Sequence, residues 1–139
     1  MKIAIDKDSI LDGAQMAISV IARDEVDSAG NSLYPILSVT NRDRELLSSV
    51  FDGAYAEFAS QFSGYVGNQE SDGLVLNLPD FDESMTSFVS NMAKGYFSDY
   101  LTGYWLRMKG STMYEPFLAN SVAMMESIKK SLFTRKAPI

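Results

Sequence analysis

The chain has 139 residues, of which 46% are apolar and 22% charged, which is ordinary usage for a protein with one packed core. It contains neither cysteine nor histidine, so disulfides, thiolate nucleophiles and the commonest zinc ligands are excluded. The start carries early acidic residues, unlike a signal peptide, and no stretch approaches the ~20 apolar residues that cross a bilayer. We therefore expect one soluble domain over residues 1–139, with no membrane partner.

The net charge of −6 is divided unevenly along the chain. Residues 45–93 contain eight acidic residues and no lysine or arginine, whereas residues 94–139 contain seven basic and three acidic ones. Solvated helix faces explain such a distribution without any function. The functional alternative is a molecule with two surfaces of opposite sign, which pair head to tail in copies of the same chain.

The first elements in chain order are a short strand and a helix. Ile3 and Ile5 alternate with polar neighbours and predict a strand over residues 2–6. Apolar residues at spacings of three and four then predict a helix from about Asp8 to Arg23.

The segment NSLYPILSVTNRDRELLSSVF, residues 31–51, is predicted to change from strand to helix without a linker. Pro35 and the β-branched residues near it favour an extended conformation over residues 33–39. Thr40 follows as a capping residue, because its hydroxyl can accept the amide hydrogen of Asp43 or its neighbour at a helix start. The apolar stripe that continues to Tyr65 predicts the second helix.

In the second half, LVLNL predicts a strand over residues 74–78, which must pair with another strand because its backbone groups need partners. Asp80, with Glu83 three residues later, predicts the cap of a third helix. That helix extends toward Met108, and Gly110 ends it.

A fourth helix is predicted from about Met113 to Phe133, with Pro116 tolerated in its first turn. The fold class is therefore mainly α, with about four helices and a small β element made from the short extended segments.

No motif indicates a chemistry. Residues 68–73 resemble the start of a calcium loop, but the twelfth position, where such a loop needs a bidentate glutamate, is Pro79. Phosphate loops, dinucleotide fingerprints and nucleophile elbows are absent from the sequence. We expect no catalytic residue, no metal and no cofactor, and hence no enzyme, with carboxylate catalysis as the one enzymatic alternative left open.

Residues 92–110 form the most informative segment, because helical spacing divides it into three strips. One strip is made of tyrosines, a second is apolar and a third contains two glycines that permit close approach of another backbone. Their members are Tyr96, Tyr100 and Tyr104; Phe97, Leu101, Trp105 and Met108; and Gly95, Asp99 and Gly103. Such a helix is either central to a monomer core or presents its tyrosines to a neighbouring subunit.

If the tyrosines face a neighbouring subunit, the candidate interface residues have two roles. Buried aromatic side chains supply affinity, and charged residues at the rim set orientation. The candidates are Tyr96, Tyr100, Tyr104 and Trp105, with Asp80, Asp82 and Glu83 on the acidic side and Lys129 and Lys130 on the basic side. Trp105 lies either beside the tyrosines or in the core. The basic end contacts either DNA or protein, but the acidic total and the lack of a recognition helix argue against sequence-specific nucleic-acid binding.

The segment DSAGNSLYPILSVTNRDRELLSSVF combines a glycine turn, an extended stretch and a T-x-x-D-R-E helix start. Over residues 27–66 this pattern resembles small helical proteins of tailed-phage structural cassettes, the head-to-tail connectors or neck components that assemble into rings. The resemblance implies a non-enzymatic virion subunit, assembled in the host cytoplasm as a homo-oligomeric ring that contacts other virion proteins. The alternative is a cellular helical module that binds or regulates another protein.

Overall fold

The computed structural model describes residues 2–62, 74–77 and 83–134. The helices and strands are β1 (Lys2–Ile5), α1 (Lys7–Asp24), α2 (Tyr34–Leu37), α3 (Arg44–Ser60), β2 (Leu74–Asn77), α4 (Thr86–Met108) and α5 (Glu115–Thr134). Short 3₁₀ turns over Glu83–Met85 and Thr112–Tyr114 lead into α4 and α5. The fold is mainly α, as the sequence predicts.

The small β element is a two-stranded antiparallel ribbon of β1 and β2. Lys2 pairs with Asn77 and Ile5 with Leu74, so the predicted strand LVLN finds the partner that its backbone groups require. Ile3 and Ile5 are buried, whereas Lys2 is exposed. The alternation seen in the sequence thus places one face of β1 against the core.

Helix α1 begins within one residue of its predicted start, because Asp6 caps it by accepting a hydrogen bond from the Ser9 amide at 3.2 Å. One face of the helix is buried in the core. Its members are Ile10, Leu11, Ala14, Ile18 and Ala22. The opposite face is exposed, which makes α1 an amphipathic outer helix.

The prediction of an extended segment over residues 33–39 is wrong in its centre, where Tyr34–Leu37 form the helical turn α2. Pro35 lies in the first turn, where amide groups have no intrahelical acceptor, so the missing N–H of proline costs nothing there. The amide of Leu37 donates to the Leu33 carbonyl at 2.9 Å, and the Leu37 side chain is buried. Burial of Leu37 therefore outweighs the local preference for extended chain, and the backbone becomes extended at Ser38.

The predicted cap at Thr40 is confirmed, although it follows a helical turn and not a strand. The Asp43 amide donates to Thr40 Oγ1 at 3.2 Å, and the Thr40 amide donates back to Asp43 Oδ2 at 3.4 Å. This reciprocal pair occupies the backbone donors at the entrance to α3, which starts at Arg44.

Helix α4 is the central element and packs against α1, α3, α5 and β1. Its predicted cap at Asp80 lies outside the described residues. Its predicted end is confirmed, because Gly110 has φ +81° and its amide donates to the Arg107 carbonyl at 3.1 Å. The Ser111 amide donates to the Leu106 carbonyl at 2.9 Å, which completes a glycine-terminated helix end.

Two helical glycines give a matched test of the α4–α5 packing. A Cβ added at Gly103 would lie 2.8 Å from Leu118 side-chain atoms and 3.1 Å from the Leu118 amide nitrogen, whereas a Cβ at Gly53 on α3 would meet nothing within 4 Å. Gly103→Ala should lower the free energy of unfolding by about 1–3 kcal/mol through overpacking.

Gly53→Ala should raise the free energy of unfolding by up to about 1 kcal/mol, because alanine favours the helix and no contact opposes it. Urea unfolding followed by Trp105 fluorescence measures both changes. Equal stabilisation by the two substitutions would show that α5 does not approach α4 at Gly103.

Candidate interaction site on the tyrosine face of α4

The apolar strip of α4 faces the core. Phe97, Leu101 and Trp105 are fully buried, and the Trp105 Nε1–H donates a hydrogen bond to the Leu37 carbonyl at 2.7 Å. The indole therefore holds α2 against α4 and satisfies a buried acceptor at the same time. Trp105 therefore lies in the core and not beside the tyrosines, so its side chain is not accessible to a partner.

The glycine strip of α4 faces α5 of the same chain. A Cβ at Gly95 would lie 2.6 Å from Met124 Sδ, and Gly103 is in similarly close contact with Leu118. Between the glycines, Asn120 Nδ2 donates to Asp99 Oδ2 at 3.4 Å. Burial raises the pKa of Asp99, and the bond from Asn120 opposes that shift. The close approach predicted for this strip is confirmed, and α5 occupies it.

The tyrosine strip differs from the other two because its exposure increases along the helix. Tyr96 is 7% exposed, Tyr100 is partly buried and Tyr104 is 39% exposed. The rings stack in sequence, with centroids 6.1 Å apart between Tyr96 and Tyr100 and 6.2 Å apart between Tyr100 and Tyr104. The three side chains form a ladder that starts in the core and ends at the surface.

The inner end of the ladder is fixed by aromatic neighbours. Tyr96 lies 5.7 Å from Phe58 of α3 and 5.1 Å from Phe97, measured between ring centroids. Burial raises the pKa of Tyr96 to about 12, and the negative charge of Glu57 and the neighbouring Tyr100 add to the shift. Burial also raises the pKa of Tyr100, again with contributions from Glu57 and from Tyr104. These two phenols therefore keep their protons to a higher pH than an exposed tyrosine does.

Two open grooves flank the ladder at its ends. The larger, about 460 Å³, is lined by Tyr100, Tyr104, Arg107, Met108 and Leu118. The smaller, about 160 Å³, is lined by Glu57, Gln61, Tyr96, Val122, Met125, Glu126 and Lys129. The stacked tyrosines join the two grooves, and we call the whole surface the α4 furrow. It has an aromatic floor, Arg107 at its outer end, and Glu57, Glu126 and Lys129 at its inner end.

The charged candidates are only partly brought to this furrow. Lys129 lines the smaller groove, whereas Lys130 is exposed on α5 beside it. Glu83 is exposed in the 3₁₀ turn that precedes α4. Asp80 and Asp82 lie outside the described residues.

Several residues of the furrow were missed from the sequence, among them Glu57 of α3 and Leu118 and Glu126 of α5. Glu57 adjoins Phe58 in the apolar stripe of α3, and Leu118 is half-buried on the face of α5 that contacts Gly103. Nothing in their spacing shows that these helices border the tyrosines, because that proximity arises from the packing of three helices and not from local pattern.

The described part of the chain holds no group of three acidic side chains placed to bind a metal ion. Within residues 2–62 and 83–132, every buried polar side-chain atom has a hydrogen-bond partner. Over residues 2–62, 74–77 and 83–134, none of the helices has the length and apolar character needed to cross a bilayer. The arrangement that distinguishes this molecule is an aromatic surface bordered by charges, which is the composition of a protein interface.

No protein-family model, curated protein or solved structure matches this chain. The function is therefore inferred from the furrow and from the sequence pattern.

The raised pKa of Tyr96 predicts a loss of stability at alkaline pH. An unfolded tyrosine ionises near pH 10, whereas folded Tyr96 retains its proton to about pH 12. Between these values the folded state binds more protons than the unfolded state, so the free energy of unfolding falls as the pH rises. Below pH 10 the contribution of Tyr96 is fully present.

Tyr96→Phe should make this fall less steep, because phenylalanine has no proton to lose in either state. Urea midpoints measured from pH 9 to 12 test the change, with Tyr34→Phe on the exposed α2 turn as the control for removal of one phenol. If the free energy of unfolding of Tyr96→Phe fell with pH as steeply as that of the parent protein, the burial of this ring would be contradicted.

Proposed function

We propose that this protein is a non-enzymatic structural subunit that assembles with copies of itself, as head-to-tail connectors and neck components of tailed phages do. The observation that carries the proposal is the stacked tyrosine ladder, which is anchored in the core at Tyr96 and opens to the surface at Tyr104. Aromatic residues whose rings are already fixed lose little conformational freedom on binding, so they are efficient interface anchors.

The residues around the outer end of the ladder support an assembly role. Met108 is 43% exposed and lines the same groove as Tyr104 and Arg107. Tyrosine, methionine and arginine are the residue types enriched at protein interfaces relative to the rest of the surface. The groove is open, so it suits a protein surface better than an enclosed small ligand.

The charges at the ends of the furrow support a defined orientation for the partner. Arg107 is exposed at the outer end, and Glu57 and Glu126 are exposed at the inner end. Opposite charges at the rim contribute about 0–1 kcal/mol each and mainly select orientation and speed of encounter. Affinity would come from the tyrosines.

The phage context rests on the likeness of residues 27–66 to connector and neck proteins, of which the structure describes residues 27–62. In the structure this segment contains a turn at Gly30, with φ +83°, then α2 and the capped entrance to α3. The extended stretch of the likeness is replaced by α2, so the turn and the T-x-x-D-R-E start are the parts that support it. On this proposal the protein is located in the virion, after assembly in the host cytoplasm, and contacts other virion proteins.

Two exposed tyrosines provide a matched test of self-association. Tyr104 is 39% exposed in the furrow and Tyr34 is 38% exposed on α2. We expect the parent protein to self-associate in sedimentation velocity as its concentration rises, and Tyr104→Ala to weaken that association about tenfold, as loss of an aromatic anchor does.

Tyr34→Ala should associate as the parent does, because it removes an equally exposed ring from a different surface. A parent protein that stays monomeric at every concentration would overturn the proposal and favour a module that binds another protein. If both substitutions weakened self-association equally, the furrow would not be the assembly surface.

A further inference from the structure

The outer face of α1 is a second unpartnered surface of this molecule. Met16 is 70% exposed and Val20 is 54% exposed, one helical turn apart on the side opposite the buried stripe. Asp12 precedes them and Arg23 follows them on the same side of the helix, both exposed. This face, which comprises Asp12, Met16, Val20 and Arg23, is acidic at one end, apolar in the middle and basic at the other end.

The α4 furrow has the complementary order of groups. Its middle is aromatic, its outer end carries Arg107, and its inner end carries Glu57 and Glu126 together with Lys129, so acidic side chains outnumber basic ones there. Arg23, Glu57 and Glu126 form no ion pair within the described part of the chain. Asp12 does pair with Arg44 Nη1 at 2.7 Å, but the Asp12 side chain remains 69% exposed. The charges of both surfaces are therefore open to a second molecule.

The two surfaces also agree in length. Asp12 and Arg23 are separated by eleven positions, as are Tyr96 and Arg107. At 1.5 Å per residue each pair spans about 16 Å along its helix. Within those spans, Met16 and Val20 are four positions apart, the same spacing as between rungs of the tyrosine ladder. An antiparallel alignment therefore brings Asp12 opposite Arg107, the apolar pair opposite the tyrosines, and Arg23 opposite the inner end, where the acidic side chains are in excess.

We infer that the outer face of α1 in one copy docks antiparallel into the α4 furrow of the next copy. Val20 lies over Tyr100, and Met16 places its thioether against Tyr104, a favourable sulfur–aromatic contact. This assignment rests on the proposed assembly function and names the surface that the furrow receives.

The charges fix the direction of docking. Asp12 meets Arg107 at the outer end, and Arg23 meets Glu57 and Glu126 at the inner end. Reversal of the α1 direction would place Arg23 against Arg107, so the wrong orientation is disfavoured by repulsion.

The contact has to be between copies. The buried face of α1 packs against α4 within the chain, so its outer face points away from α4. A chain therefore cannot insert this face into its own furrow. Because the two surfaces of each contact are different, the interface is heterologous and repeats from copy to copy, as a closed ring requires.

Mixing two variants that each lack one surface tests the inference. Val20→Glu puts a like charge beside Glu57 and Glu126 and removes the apolar middle of α1, while the furrow stays intact. Tyr104→Glu replaces the outermost aromatic ring of the furrow by a charged side chain and leaves α1 intact. We expect each variant alone to associate at least tenfold more weakly than the parent in sedimentation velocity. An equimolar mixture should recover association but stop at dimers, since only one intact pair of surfaces remains.

Ile36→Glu is the matched control, because Ile36 is 57% exposed on α2 and lies outside both surfaces; it should associate as the parent does. If Val20→Glu unfolds the chain, as circular dichroism would show, Met16→Lys carries the same test at a more exposed position, because it puts a like charge beside Arg107. If Val20→Glu associates as the parent does, or if the mixture stays monomeric, the inference is overturned. The proposed function still stands in that case if substitution of Tyr104 weakens association. A monomeric parent protein overturns the proposed function as well.

Discussion

The close approach of α5 to α4 at Gly95 and Gly103 is the contact on which the rest of the structure depends. Helix α5 covers the glycine strip of the central helix, while Phe97, Leu101 and Trp105 of the apolar strip are buried in the core. The tyrosine strip is left without complete cover, together with Met108 at the end of the apolar strip. A side chain at either glycine would separate the helices by contact with Met124 or Leu118, and the border that α5 gives to the furrow would move with it.

The tyrosine ladder shows how such packing prepares a surface for binding. Tyr96 is held by Phe58 and Phe97, so each successive ring stacks on one that is already fixed. An interface built on fixed rings avoids part of the entropy cost of ordering side chains, which commonly offsets the gain from buried area. The same burial raises the pKa of Tyr96 and Tyr100, so these two phenols keep their protons to a higher pH than exposed tyrosines do.

The sequence predicts the long helices and both short strands of this fold, but it misses the helical turn α2. Apolar periodicity locates α1, α4 and α5, and side-chain chemistry locates the cap at Thr40 and the helix end at Gly110. The α2 turn is missed because burial of Leu37 and its bond to Trp105 are tertiary effects that override the local preference of the Y-P-I-L segment. For the same reason the three strips of α4 are visible in the sequence, but which strip meets the core, α5 or solvent is decided by helix packing.

Oxidative footprinting by hydroxyl radicals can show whether the tyrosine strip of α4 is covered when the protein self-associates, because Tyr104 and Trp105 are adjacent in the chain and opposite in exposure. Tyr104 should be modified in dilute protein and become protected as the concentration rises, while Trp105 should be protected throughout. Modification of Trp105 in the dilute protein would contradict the packing of α4. Modification of Tyr104 that does not change with concentration would contradict the assignment of the furrow as the assembly surface.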